Sequence, residues 1–155
     1  MQEIVYHSIQ LKCDAKKAFD MFTQNENLRS WLAELADVEP KPGGKYELFW
    51  DPDDKENNST IGCRITAIEE GKFIAFEWKG PRQFKHFMNN TVPLTHVIVF
   101  FLPCDRSSLS PCTEVHLVHT GWGEGSDWQE ARSYFDKAWL IALKNLEGKF
   151  DTDAR

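Results

Sequence analysis

Apolar and polar positions alternate with a period of two at the start of the chain. Val5, His7, Ile9 and Leu11 fall on one side, and Ile4, Tyr6, Ser8 and Gln10 on the other. Successive side chains of a strand point to opposite faces, so this pattern predicts a strand over 3–12. Asp14 then stands at an N-cap position before Ala15, Ala18, Phe19 and Phe22, whose spacing is helical. A second short helix is expected after Asn25, with Leu28, Trp31, Leu32 and Leu35 on one stripe. Pro40, Pro42, Gly43 and Gly44 break the pattern.

From Gly44 the period returns to two. Tyr46, Leu48 and Trp50 alternate with Lys45, Glu47 and Phe49, and the polar stretch 51–59 reads as a hairpin loop. Ile61, Cys63, Ile65 and Ala67 mark one face of a strand over 60–69. In the strand over 72–79, Ile74, Phe76 and Trp78 alternate with Phe73, Ala75 and Glu77. Residues 80–93 form a longer excursion, and strands over 95–102 and 113–120 flank a turn-rich loop. Consecutive strands joined by turns imply an antiparallel meander. The final element is a long helix. Ser126 and Gln129 have capping-box spacing, and Trp128, Ala131, Phe135, Ala138, Trp139, Ala142 and Leu146 keep one stripe up to a C-cap at Gly148.

Strand, two short helices, a run of strands and one long helix predict an α+β fold: a curved antiparallel sheet wrapped around the C-terminal helix. A gap between sheet and helix, roofed by the short helices, would form a cavity. No repeat or linker interrupts 1–150, which reads as one domain followed by a disordered tail over 151–155. The 155-residue length suits a single domain of ~100–150 residues.

Charge narrows the function. With 18 Lys+Arg against 24 Asp+Glu, the net charge is −6, which argues against a nucleic-acid binder and against docking on anionic lipid. The first residues lack a basic and apolar leader, and the longest apolar run, 97–102, is far short of the ~18–20 residues of a spanning helix. A cytoplasmic location is therefore expected. Aromatic residues make up 13% of the chain, with 6 Trp and 11 Phe, which is much flat apolar surface for a core or a pocket. None of Cys13, Cys63, Cys104 and Cys112 forms a CxxC pair, so free thiols are expected. The exception would be a bridge between Cys104 and Cys112 if they face each other across the loop 105–111.

Candidate chemistry is sparse. His119 is in phase with Val115 and Leu117, so it should face the long helix. There it would either meet a ligand, as hydrogen-bond partner or as acid or base, or serve as a structural histidine. His96, His116 and His119 do not make a metal site, because positions 116 and 119 point to opposite faces of a strand. No metal or cofactor is expected: HExxH is absent, and Gly121, Gly123 and Gly125 lack dinucleotide-loop spacing. Those glycines read as a flexible gate or as an ordinary turn. On the opposite sheet face, Ile98, Phe100, Leu102, Val118 and Phe73 form an apolar patch, and homodimerisation through Ile98, Phe100 and Val118 is expected.

Several motifs in order resemble the START-like (SRPBCC) superfamily, in its branch related to the activator of heat-shock protein ATPase. They are Asp14-Ala15 with Ala18-Phe19, Leu28 with Trp31-Leu32, Pro42-Gly43-Gly44-Lys45-Tyr46, Phe76-Glu77-Trp78, His119-Thr120-Gly121-Trp122, and the closing helix with Trp139 and Leu143. The resemblance covers residues 3–149 and implies a helix-grip fold with a hydrophobic cavity. It departs from common members in the longer 80–93 segment and the extended 104–112 loop. Three functions follow as expectations. The first is binding of a small apolar or aromatic molecule lined by Trp31, Trp50, Phe76, Trp78, His119, Trp122, Phe135 and Trp139. The second is a chaperone-interacting regulator working through an outer surface. The third is a cyclase- or hydrolase-type enzyme using His119.

Overall fold

The Asp14 carboxylate accepts the Lys17 N–H at 2.8 Å and so satisfies one free donor of the first helical turn. That cap ends strand β1 (Val5–Leu11) and starts helix α1 (Ala15–Thr23). The remaining elements of the computed structural model, which describes residues 3–104 and 110–151, follow in order. They are α2 (Asn25–Trp31), β2 (Leu35–Val38), β3 (Tyr46–Phe49), β4 (Ile65–Glu69) and β5 (Phe73–Trp78). A short 3-10 turn (Arg82–Phe84) then leads into α3 (Lys85–Met88), and β6 (Thr95–Pro103), β7 (Thr113–Thr120) and α4 (Ser126–Lys149) complete the chain.

Strands β4 to β7 form the expected antiparallel meander. β1 closes it against β7, giving the order β1-β7-β6-β5-β4. β2 and β3 form a separate ribbon, and the isolated bridges Lys45–Arg64 and Phe49–Ser59 join it to the segment that leads into β4. Register places Val97 beside Phe76 and His119, and Val99 beside Ile74 and Leu117. All six are buried, so this is the inner face. Ala131, Phe135, Trp139, Leu143 and Leu146 of α4 are buried against it. His7 Nε2 lies 2.9 Å from Asp136, and the Gln10 N–H donates to Glu147, which fixes the helix along β1. The arrangement is an α+β helix-grip fold.

Local details differ from the pattern-based expectation. Leu35 leaves the α2 stripe and opens β2, because it pairs with Phe49 across the ribbon. Residues 60–64 form a turn instead of a strand. The Thr60 hydroxyl takes the place of a ladder partner, accepting from the Leu48 N–H at 2.8 Å and donating to the Tyr46 carbonyl at 2.9 Å. Gly125, with φ +108°, is the N-cap of α4 in place of Ser126. Gly148 lies inside the helix, which ends at Lys149 with Phe150 as the cap. Of the glycines before α4, Gly121 has φ +93°, and a Cβ on it would sit 3.3 Å from Thr95 Cα. A Cβ on Gly123 would meet the Trp128 indole at 2.5 Å. These two positions need glycine for a closely packed turn.

Cys104 and Cys112 are joined by a disulfide where β6 passes into β7, so the expectation of free thiols fails for this pair. The ladder continues there, the Cys104 N–H donating to the Cys112 carbonyl at 3.0 Å, and this brings the two residues to a Cα separation of 5.3 Å. Cys13 and Cys63 are free and buried. The five residues 105–109 of the loop lie outside the described residues. So does the expected disordered tail apart from Asp151, which forms a turn. On the outer face Phe100 is 42% exposed, while Ile98 and Val118 are half-buried.

Candidate functional site

A pocket of about 280 Å³ opens where β5 ends, between the ribbon and α4. Trp78, the last residue of β5, forms one wall; Phe135, Ala138 and Trp139 of α4 form the facing wall. Trp50, which follows β3, lies across the mouth. It is held there by its indole N–H, which donates to the Leu32 carbonyl at 2.8 Å. The rings meet at angles: Trp78 is 5.0 Å from Trp139, 5.9 Å from Trp50 and 6.4 Å from Phe135, centroid to centroid. Lys79, Asn58 and Ser59 supply polar groups to the rim. Two other depressions, beside Asp20 and beside the Cys104–Cys112 bridge, are similar in size but have at most one aromatic residue each.

Four of the eight sequence-predicted residues line this pocket: Trp50, Trp78, Phe135 and Trp139. The other four lie elsewhere in the core. Trp31 donates its indole N–H to the Met21 carbonyl at 2.9 Å and packs on Phe22, behind α1. Phe76 is stacked 3.8 Å from Tyr46, whose hydroxyl is fixed on the Phe22 carbonyl at 2.7 Å. Trp122 donates to the His119 carbonyl at 2.9 Å and lies over the imidazole.

His119 is completely buried behind Trp78 and outside the pocket lining. Its Nδ1 accepts the Trp139 indole N–H at 3.1 Å, which puts the single proton of the neutral ring on Nε2. Nε2–H then donates to the Thr95 hydroxyl at 3.0 Å. Burial lowers the His119 pKa from 6.5 to about 3, with a smaller effect of His96 in the same direction. A neutral ring with both nitrogens engaged has no free group for acid–base work. This is the structural-histidine alternative.

Trp78 presents the opposite case. It is 3% exposed, and its Nε1–H is the one buried side-chain polar atom among the described residues without a hydrogen-bond partner. A buried donor left unpaired costs about 1–3 kcal/mol. Lys79, missed by the sequence reading, is fixed by donating from Nζ to the Ile61 carbonyl at 2.6 Å. Tyr134, also missed, borders the pocket next to Phe135. The only sequence signal for either was adjacency to a predicted lining residue.

A helix-grip sheet closed over one long helix defines a class of small α+β proteins. Within that class, residues 12–151 match the model of the family described as activator of Hsp90 ATPase homolog 1-like protein, and the chain belongs to that family. No curated protein sequence matches it significantly. Among solved structures it is similar to protein MLL2253 from Mesorhizobium loti, with TM-score 0.72 and 17% identity over 99% of this chain and 100% of that one. The Aha1 dimer from Colwellia psychrerythraea gives 0.68 and 15%, with 99% of each chain covered. PFC0360w, an HSP90 activator from Plasmodium falciparum, gives 0.66 and 21%, with 93% of each covered. At these identities the likeness is one of fold.

Proposed function

We propose that the protein binds a small apolar or aromatic molecule in the pocket between Trp78 and α4, without chemical conversion. The observation that carries this reading is the convergence of Trp50, Trp78, Tyr134, Phe135 and Trp139 on one open pocket. Such a site gains ~25 cal/mol per Å² of apolar area removed from water, less the costs of association. Binding to the folded state raises stability by about 2.7 kcal/mol at a hundred times Kd. Methyl naphthylacetate is therefore expected to raise the Tm and to give a saturable calorimetric titration, both weakened by Ala138→Trp, which fills the pocket. An unchanged Tm together with a flat titration for it and for a panel of one- and two-ring apolar compounds sinks the reading.

A second reading is a chaperone regulator acting through an outer surface. It is supported by the family to which the chain belongs and by the exposed Phe100 on the outer sheet face. Stimulation of a chaperone ATPase that is lost in Phe100→Asp, with the pocket variant unaffected, would favour it. The same face suits homodimerisation through Ile98, Phe100 and Val118, an assembly named for the Colwellia relative. A concentration-independent monomer mass in light scattering excludes the dimer.

A further inference from the structure

We infer that Tyr6, on the outer face of the sheet, is a covalent modification site: a base-assisted nucleophile that takes an acyl group from an activated ester or thioester. Tyr6 does not line the pocket, and the inference goes beyond the binding function proposed above without depending on it.

Register brings the site together. Tyr6 of β1 is opposite Val118 of β7, and His116 stands two residues before Val118, on the same face. An aromatic side chain reaches such a diagonal neighbour. The Tyr6 hydroxyl is 2.7 Å from His116 Nδ1. Glu114, two residues further along the same face, has its Oε1 3.0 Å from His116 Nε2. An ionised carboxylate only accepts, so it assigns the proton of the neutral imidazole to Nε2 and leaves a lone pair on Nδ1. The phenol is then the donor of the other bond. Nucleophile, base and an acid that orients the base stand in a row, both distances within the ~2.6–3.2 Å reach of such a relay.

The chain has 3 tyrosines, and the other two have no such base. Tyr46 is buried, with its hydroxyl donating to the Phe22 carbonyl at 2.7 Å. Tyr134 is 42% exposed against 49% for Tyr6, but its contacts are with the rings of Phe84 and Phe135. The two exposed phenols therefore differ by the His116–Glu114 pair. In the transfer the Tyr6 oxygen attacks the acyl carbon while its proton passes to His116 Nδ1, and Glu114 stabilises the imidazolium. The bond from the acyl carbon to the leaving oxygen or sulfur then breaks, and the leaving atom takes the proton from His116. The products are the Tyr6 ester and a free phenol or thiol. The Glu114 charge disfavours an anionic phosphoryl donor, whereas an uncharged acyl carbonyl needs only removal of the phenol proton. Phe100, exposed and opposite His116 on β6, places apolar surface beside the relay.

The test treats the full chain, in dilute solution, with p-nitrophenyl acetate and locates the acetyl groups over time by peptide mass spectrometry. Tyr6 is expected to be acetylated at least about tenfold faster than Tyr134, a modest share of the ~10²–10⁴ that a positioned base contributes. His116→Gln should bring Tyr6 down to the rate of Tyr134. Glu114→Gln should leave an intermediate rate, and Tyr134 should react alike in all three proteins. Equal rates at Tyr6 and Tyr134 in the native protein overturn the inference without recourse to any variant. So does a fast Tyr6 that His116→Gln leaves unchanged, because its reactivity would then owe nothing to the base. Neither result bears on ligand binding in the pocket.

Discussion

Trp78 and His119 are neighbours in the core, 6.2 Å apart between ring centroids and both buried, yet their polar atoms have opposite fates. His119 is completed from within: Trp139 donates to one nitrogen, Thr95 accepts from the other, and Trp122 holds its carbonyl. Trp78 lines an open pocket, but its buried indole N–H has no partner among the described residues. Burial alone therefore does not decide whether a polar atom is paired. What separates the two residues is whether the fold itself supplies the hydrogen-bond partner.

This contrast can be broken by mutation, and the largest effect is expected at His119. His119→Ala removes a buried ring, strands the Trp139 N–H and leaves the Thr95 hydroxyl only its long bond to the Trp78 carbonyl, so unfolding in urea should show a loss of about 3–5 kcal/mol. A loss under about 1 kcal/mol would mean that the network is not structural. Trp139→Phe removes the donor to His119 Nδ1 and shrinks the ring, with an expected cost of about 2–3 kcal/mol by the same measurement.

Acid should act through the same network. The folded protein holds the His119 pKa at about 3, while the unfolded chain takes up a proton near the ordinary 6.5. Between these values the unfolded state binds more protons, so stability falls as pH drops through that window. The His119 contribution to the slope is about 1.4 kcal/mol per pH unit. It should be missing from His119→Gln when the two proteins are titrated in parallel. Equal slopes would show that His119 charges freely in the folded state.

The smallest effect sharpens the contrast most. Trp78→Phe removes the same atoms as Trp139→Phe, but the N–H it removes has no partner among the described residues. Its cost should be at least about 1 kcal/mol smaller than that of Trp139→Phe, because an unsatisfied buried donor disappears with it. Equal costs in urea would place the two indoles in the same class.

Much of this site is legible in the pattern of the chain. The period of two in β5 put Trp78 on the inner face, and the helical stripe put Phe135 and Trp139 opposite it. The same rules chose Phe76, which does face inward, but Tyr46 from β3 stacks over it and closes that part of the cleft. Trp31 is apolar and on a helix stripe, but α2 packs it on α1. Lys79 and Tyr134 escape the pattern for a different reason. Strand β5 stops at Trp78, so alternation no longer governs the next residue, and Tyr134 lies at the edge of its helix stripe. The Cys104–Cys112 bridge depends likewise on the ladder carrying through beyond β6.

What the sequence determined by itself is the α+β order, the meander, and which side of each strand and of α4 is buried. These follow from local spacing, because the periods of strand and helix sort side chains within a few residues. Only the tertiary structure decided which inward aromatics are covered and which buried N–H finds an acceptor. Those outcomes hang on contacts between separate elements, such as Tyr46 on Phe76 and Trp139 on His119, and no period along the chain encodes them.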